Sequence, residues 1–192
     1  MLRSHYACCL GKGVMTPQLK PTLNLILRMV FTVQNGQSGP RVADGNRHGH
    51  GQKKMNKPGK IYVLISDGEC QEGTTWESLL IGARHKLDNL VVLIDYNKIQ
   101  ALTTLDEALP LGDLAAKFEA FNWSCSEISN GHSFEELIPV FQEENVGNKP
   151  RAIITHTVKG KGIKAFENDP AWHARKVKGE ELEIGKKELG LE

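Results

Sequence analysis

The sequence has few cysteines, few aromatic residues, almost no net charge and no long apolar run. Its four cysteines, Cys8, Cys9, Cys70 and Cys125, show neither the paired spacing of a zinc site nor the density of a disulfide-rich protein. Such sparing use of cysteine fits a reducing compartment, so we expect a cytoplasmic protein. With 24 Lys and Arg against 23 Asp and Glu, the net charge of +1 gives no global field for nucleic acid or an anionic membrane.

The longest apolar stretch near the start of the chain runs from Leu23 to Val33. It contains Asn24 and Arg28 and falls well short of the roughly 20 residues that span a bilayer. No basic segment with an apolar core and a small-residue cleavage site precedes it, so we expect no export signal. The 192 residues suffice for one domain with its own hydrophobic core.

From Ile61 onward, short β-branched runs alternate with longer stretches of helical spacing. The candidate strands are Ile61–Ser66, Leu90–Tyr96, Trp123–Ser129 and Arg151–Thr157. The candidate helices are Gln71–His85, Leu114–Phe121, Phe134–Glu143 and a charged terminal helix at Gly179–Leu191, with which we expect the domain to end. This alternation predicts an α/β fold, a parallel sheet with helices on both faces.

Two local signals refine this prediction. Ser133 and Glu136 predict a capping box at the start of the helix Phe134–Glu143. The stretch Asn97–Gly112 has no clear period and directly follows a strand. A connection of that length inside a compact domain is usually functional.

The first 54 residues are different, because Met1–Lys54 shows no sustained period and Ser38–Lys54 has the composition of no packed element. We therefore divide the chain into an atypical, poorly ordered leader at 1–54 and a domain at 55–192.

Asp67 follows the first candidate strand, and Asn97 follows the second. Because the carboxyl ends of parallel strands meet at one edge of a sheet, we expect these two side chains to lie close together. Gly68 lets the backbone approach a phosphate, and the helix that follows favours negative charge. Oxygen ligands of this kind, completed by phosphate oxygens, suit Mg²⁺. A simple Asx turn or helix cap is the alternative for Asp-Gly alone.

Longer motifs surround these two residues. They read Ser-Asp-Gly-Glu-Cys-Gln-Glu-Gly from Ser66, Trp-Glu at Trp76, Asp-Tyr-Asn-Lys-Ile-Gln from Asp95, Thr-Val-Lys-Gly-Lys-Gly from Thr157 and Pro-Ala-Trp-His from Pro170. Together they resemble the N-terminal, cofactor-binding subunit of a split transketolase, over roughly Met55 to Glu192. The resemblance implies a thiamine diphosphate-binding fold, with thiamine diphosphate and Mg²⁺ as cofactors.

The resemblance also assigns roles to single residues. It implies that Asp67, Asn97 and the main-chain carbonyl of Ile99 hold the metal, and that Gly68, Glu69 and His173 contribute to the cofactor site. His173 would also stand beside the sugar, where an imidazole can shuttle a proton; a solvent-exposed loop histidine is the alternative. Glu72 and Glu77 would lie at the subunit interface, or else be ordinary solvated helix glutamates.

The irregular segment before the domain has an explanation in the genetic code. Permitted codons for Gly39 to Lys53, read one nucleotide later, give Gly-His-Gly-Leu-Pro-Met-Ala-Thr-Gly-Met-Ala-Met-Ala-Lys, which resembles the family's glycine-rich turn and Ala/Met-rich helix. We therefore expect a frameshift here, restored near Lys53. The His48-Gly49-His50 cluster would then be no metal site. The family's earlier substrate-facing histidine also has no in-frame counterpart, because His5 stands in a different context.

The function implied by the resemblance is the transfer of a two-carbon ketol unit from a ketose to an aldose. The family's second, pyrimidine-binding domain would come from a C-terminal partner subunit in a heterotetramer that acts on sugar phosphates. Two alternatives remain open: a 2-oxo acid decarboxylase or dehydrogenase component with the same cofactor, and an inactive truncated subunit.

Overall fold

Four parallel strands form one sheet at the centre of the computed structural model, which describes residues 41–144 and 147–191. They are β1 (Ile61–Ser66), β2 (Leu90–Tyr96), β3 (Ser124–Ile128) and β4 (Arg151–His156), in the order β1-β2-β4-β3. The helices are α1 (Arg41–Lys54), α2 (Gly73–Arg84), α3 (Leu105–Ala108), α4 (Leu114–Ala120), α5 (Phe134–Gln142) and α6 (Glu180–Glu188). Expectations for residues 1–40 lie outside the described residues.

The two faces of the sheet carry separate apolar clusters, because successive side chains of a strand point to opposite faces. Ile61, Val63 and Ile65 of β1 pack with α1, α2 and α4, around the buried Trp123. Tyr62 of β1 packs with the half-buried apolar side chains of α5. The predicted α/β fold, with helices on both faces of a parallel sheet, is confirmed.

The strand order explains which face each helix covers. From β1 to β2 and from β2 to β3 the chain moves across the sheet in one direction, and from β3 to β4 it moves back. A right-handed crossover then requires the returning helix, α5, to lie on the other face. All four strands point the same way, so their carboxyl ends share one edge.

The expectation that Ser38–Lys54 forms no packed element is wrong for Arg41–Lys54, which is helix α1. This helix packs against β1 and α2, and it buries Val42, Gly45, Asn46 and Gly49. Its buried face consists mainly of small and polar residues, which is why hydrophobic periodicity did not reveal it. The packed unit therefore begins before residue 55.

β1 and β2 have the predicted bounds, and the ends of the other predicted elements differ by at most two residues, apart from the terminal helix, which runs only over Glu180–Glu188. A 3-10 turn at Gly68–Gln71 precedes α2. The Ser133 hydroxyl caps α5, but the Glu136 carboxylate binds the amide of Asn130 instead of closing the predicted box. A complete capping box, between Thr104 and Glu107, starts α3 inside the loop 97–112.

Within the described residues, none of the helices has the length and apolar character needed to cross a membrane.

Candidate functional site

Asp67 is the first residue after β1, and it is only 2% exposed. Its Oδ1 accepts a 2.8 Å hydrogen bond from the amide of Gly68, and its Oδ2 accepts one of 2.6 Å from the amide of Lys98. Burial raises the pKa of Asp67, against the lowering effect of these two amides, and the neighbouring Asp95 raises it further. A cation at this carboxylate would oppose that rise, because it favours the charged form.

Asn97 is the first residue after β2, and its side chain faces the loop that follows this strand, to which Lys98 also belongs. Its Oδ1 accepts a 3.0 Å hydrogen bond from the amide of Ile99. Consecutive amides, those of Lys98 and Ile99, therefore bind one oxygen of Asp67 and one of Asn97. The two predicted metal ligands are thus brought together, as their positions after neighbouring strands predicted.

Ile99 lies in a short bridge to Thr104. The hydrogen bonds of this bridge use the carbonyl of Lys98, which accepts from Leu105, and the amide of Gln100, which donates to Thr103. They do not involve the Ile99 carbonyl, the third predicted ligand.

The donor set fits Mg²⁺. It comprises one carboxylate, one amide oxygen and one main-chain carbonyl, all hard oxygen ligands, and Mg²⁺ completes its octahedron with water and substrate phosphates. No group of three or more His, Cys, Asp or Glu side chains that could hold a metal occurs within 41–144 and 147–191. The candidate site differs from such clusters, because it has a single carboxylate and would need oxygen atoms from a bound phosphate to complete the coordination of a metal.

Lys159 lies beyond the end of β4 and is half-buried. Burial lowers its pKa, while the carboxylates of Asp95 and Asp67 act in the opposite direction. Its Nζ lies 3.3 Å from Nδ1 of His173. The lysine thus lies between Asp67, at the carboxyl edge of the sheet, and the predicted catalytic histidine. An ammonium at this position can bind a phosphate as a point charge.

His173 ends a 3-10 turn, Pro170–His173, and is exposed. The Asp169 carboxylate caps this turn by accepting from the amide of Ala171. Phe166 stacks on Trp172 with ring centroids 4.1 Å apart, which anchors the turn next to His173. The contact with Lys159 links His173 to the rest of the site.

The carboxylate and the amide of Glu69, another predicted cofactor residue, both bind other residues of this chain. Its carboxylate accepts from the amide of Ser66 and from Arg41 of α1, and its amide donates to the Ser66 hydroxyl. Burial is the main reason that its pKa is raised. Because both groups serve internal contacts, a direct contact of Glu69 with a cofactor stays a prediction.

The predicted interface residues lie on the outer side of α2. Glu72 is the N-cap residue of α2, and Glu77 is exposed in its second turn. Leu80 and Ile81, one turn further along, are 59% and 48% exposed. An exposed apolar pair next to Glu77 is compatible with a protein interface.

Three residues at this edge of the sheet were not predicted as site residues: Asp95, Thr157 and Lys159. Asp95 and Thr157 hydrogen-bond each other, and Asp95 also accepts from Asn97. All three belong to motifs already quoted for the resemblance. The signal that could have found them is their position at or just after the ends of β2 and β4, beside the ligand strands.

The family model "Transketolase, thiamine diphosphate binding domain" matches residues 42–192. Over 137 residues the chain is 37% identical to one subunit of the apulose-4-phosphate transketolase of Actinobacillus succinogenes, a match that covers 71% of this chain and 49% of the relative. It is 36% identical over 136 residues to the 6-deoxy-6-sulfo-D-fructose transketolase subunit SqwG of a Clostridium species, covering 70% and 49%. The chain thus spans about half of the length of these relatives.

Part of each solved transketolase chain has the same fold as this chain. The crystal structure of the Campylobacter jejuni enzyme matches with a TM-score of 0.73 and 28% identity, over 79% of this chain and 25% of the other. The Pichia stipitis enzyme in complex with sedoheptulose 7-phosphate matches with a TM-score of 0.73 at 22% identity, a likeness of fold alone, over 81% and 24%. With a family match over 42–192 and the motif residues gathered at one sheet edge, this chain belongs to the transketolase family and carries its thiamine diphosphate-binding domain.

Proposed function

We propose that this chain is the N-terminal subunit of a two-chain transketolase, which transfers a two-carbon ketol unit from a ketose to an aldose with thiamine diphosphate and Mg²⁺. The observation that carries the proposal is the meeting of Asp67 and Asn97 at consecutive amides, inside a domain whose family binds thiamine diphosphate.

In this proposal Asp67, Asn97 and the Ile99 carbonyl hold Mg²⁺, which in turn holds the diphosphate. The Lys159 ammonium adds positive charge beside the phosphates. The Gly68 amide binds Asp67 in the structure, so Gly68 would contribute by letting the diphosphate approach a backbone without a side chain. Thiamine diphosphate supplies an electron sink for the carbanion that forms when a ketose is cleaved. His173 donates a hydrogen bond or moves a proton at the sugar, and its contact with Lys159 orients the ring.

The partner is a C-terminal subunit with the pyrimidine-binding domain, and we propose a heterotetramer. Relatives from Actinobacillus succinogenes and Phocaeicola vulgatus are each named as one subunit of an apulose-4-phosphate transketolase, which supports a second chain. Glu72, Glu77 and the exposed Leu80 and Ile81 would lie at the interface between subunits. Cys70 and Cys125 are free thiols in the structure, which supports a cytoplasmic location.

Two kinds of anionic sugar are candidate substrates, because the relatives are named for apulose 4-phosphate and for 6-deoxy-6-sulfo-D-fructose. A phosphate or a sulfo group could each meet cationic groups near His173. A panel of phosphorylated and sulfo sugars would distinguish them.

The test is reconstitution with a C-terminal transketolase subunit that carries the pyrimidine-binding domain. We expect ketol transfer that requires both chains, Mg²⁺ and thiamine diphosphate. His173→Asn should lower kcat by about 100-fold or more, the lower end of the usual scale for a lost acid/base group. Release of CO₂ from a 2-oxo acid by the same pair, without ketol transfer, would instead establish the decarboxylase alternative.

A further inference from the structure

Asn97 can present either its oxygen or its nitrogen to a cation, and only the oxygen is a ligand. Its amide group is held from two sides in the structure. Oδ1 accepts from the amide of Ile99 at 3.0 Å, and Nδ2 donates to Oδ2 of Asp95 at 3.3 Å. A flipped amide would set an N–H against the Ile99 N–H and an oxygen against a carboxylate, so both contacts select the same orientation.

Asp95 is in turn held by Thr157, whose hydroxyl donates to its Oδ1. The Asp95 carboxylate thus uses one oxygen for each neighbour. Thr157 lies just past β4, and its amide donates to the Tyr96 carbonyl at 3.3 Å, so the backbone pairing with β2 continues to this residue. This pairing places the hydroxyl beside Asp95.

The methyl group of Thr157 lies against a glycine. A Cβ on Gly131 would lie 2.7 Å from the Thr157 methyl carbon and 3.0 Å from the His156 carbonyl oxygen. The Gly131 amide also donates to that carbonyl at 2.7 Å. Because the methyl group packs on Gly131, the hydroxyl is left facing Asp95.

We propose that Thr157 and Asp95 are positioning residues, which act through a hydrogen-bond chain to keep the amide oxygen of Asn97 directed at the metal. This rests on the proposed function, since it concerns the same metal end of the cofactor site. The proposal gives Thr157, just past the end of β4, a role in metal affinity, although no residue of β4 is a predicted ligand. Groups that orient metal ligands commonly change metal affinity about 10- to 100-fold when they are lost.

The test uses variants that each remove one group of this hydrogen-bond chain, with a control that keeps it. Thr157→Val removes the hydroxyl but keeps the methyl group against Gly131, and Thr157→Ser keeps the hydroxyl as the matched control. Asp95→Ala removes the acceptor of the Asn97 amide. Mg²⁺ is titrated into the full chain at saturating thiamine diphosphate, with binding followed by calorimetry, and thiamine diphosphate is then titrated at saturating Mg²⁺.

We expect the Kd for Mg²⁺ to rise about 10-fold in Thr157→Val and up to about 100-fold in Asp95→Ala. Thr157→Ser should stay within about 2-fold of the wild type, and the Kd for thiamine diphosphate at saturating Mg²⁺ should change little in Thr157→Val. A Thr157→Val chain that binds Mg²⁺ like the wild type would overturn the positioning role alone. A wild-type chain that binds neither ligand would overturn the proposed function and this role together.

Discussion

The amide of Lys98 donates to the carboxylate of Asp67 across 2.6 Å, so the loop after β2 is tied to the end of β1. Lys98 makes this contact at a φ of +64°. That left-handed conformation costs a residue with a side chain roughly 1–2 kcal/mol. The turn it creates also brings the next amide, that of Ile99, to Asn97.

Substitutions at Lys98 test whether this turn is strained. Both Lys98→Asn and Lys98→Val remove the ammonium that lies 5.4 Å from the Tyr96 ring. Asn tolerates the left-handed region, whereas a β-branched residue does not. We expect the free energy of unfolding of Lys98→Val to be about 1–2 kcal/mol below that of Lys98→Asn in urea denaturation. Equal stabilities would show that the positive φ carries no cost.

The contact between α2 and the core allows no side chain at Gly82. A Cβ there would lie 2.8 Å from Cζ2 of Trp123 and 2.9 Å from Oδ1 of Asn46. Gly82→Ala should therefore lower the free energy of unfolding by about 1–3 kcal/mol. Gly73 is the matched control, because a Cβ at this helix position meets nothing within 4 Å. Gly73→Ala should be neutral or stabilise by up to about 1 kcal/mol, and a loss as large as that of Gly82→Ala would refute the packing argument.

The frameshift hypothesis makes a prediction about α1. Oδ1 of Asn46 is buried without a hydrogen-bond partner, which costs about 1–3 kcal/mol. The shifted reading of residues 39–52 replaces the four buried positions of α1 with apolar or small residues: Val42→Leu, Gly45→Ala, Asn46→Thr and Gly49→Ala.

A chain carrying the shifted reading should melt several degrees higher than the present chain, since roughly 1 kcal/mol corresponds to about 2–4 °C at this size. The gain will be partly offset at Gly45, where a Cβ would lie 2.4 Å from Cγ2 of Val63, so that this side chain must move. It will also be offset at Arg41, which becomes glycine in the shifted reading and loses its ion pair with Glu69. An unchanged or lower melting temperature would argue against the frameshift. Resequencing the gene through this region is the complementary check.

Cys70 gives a prediction on pH. Burial raises the pKa of its thiol from 9.0 to about 12. Below pH 9 both states keep the proton, but between pH 9 and 12 the unfolded chain loses it and the folded chain does not. The free energy of unfolding should therefore fall by up to about 1.4 kcal/mol per pH unit from this group.

The variant Cys70→Ala isolates that contribution from other groups that titrate in this range. It should be about 1 kcal/mol less stable than the wild type at neutral pH, because it leaves a small void. This difference should shrink as the pH rises above 9 and change sign before pH 12, because the wild type loses up to about 1.4 kcal/mol per pH unit from the thiol in this range. A difference that stays constant over this range would contradict the raised pKa. Cys125→Ala, at a half-buried site, should lose less stability at neutral pH. Because the pKa of Cys125 is also raised to about 12, its pH dependence should be similar.

The sequence predicted β1 and β2 to the residue because both are continuous apolar runs, rich in β-branched residues, that are followed by polar residues. It missed α1, whose buried positions are mostly glycine or polar. It also missed α3, whose four residues are too few to show a helical period. The meeting of Asp67 and Asn97 followed from parallel topology. The contact between Asp95 and Thr157 could not be predicted in this way. It depends on how β4 pairs with β2, and no local sequence pattern determines the strand order.

Thermal unfolding of the full chain, with and without millimolar Mg²⁺ and thiamine diphosphate, tests the cofactor site most directly. At ligand concentrations about 100 times Kd, binding stabilises the folded state by about 2.7 kcal/mol, or roughly 5–10 °C here. We expect this rise only when both ligands are present, and we expect Asp67→Asn to abolish it. The control Asp88→Asn, at a carboxylate paired with Lys53 before β2, should keep it. Superimposable curves with and without the ligands, or an undiminished shift in Asp67→Asn, would contradict the account.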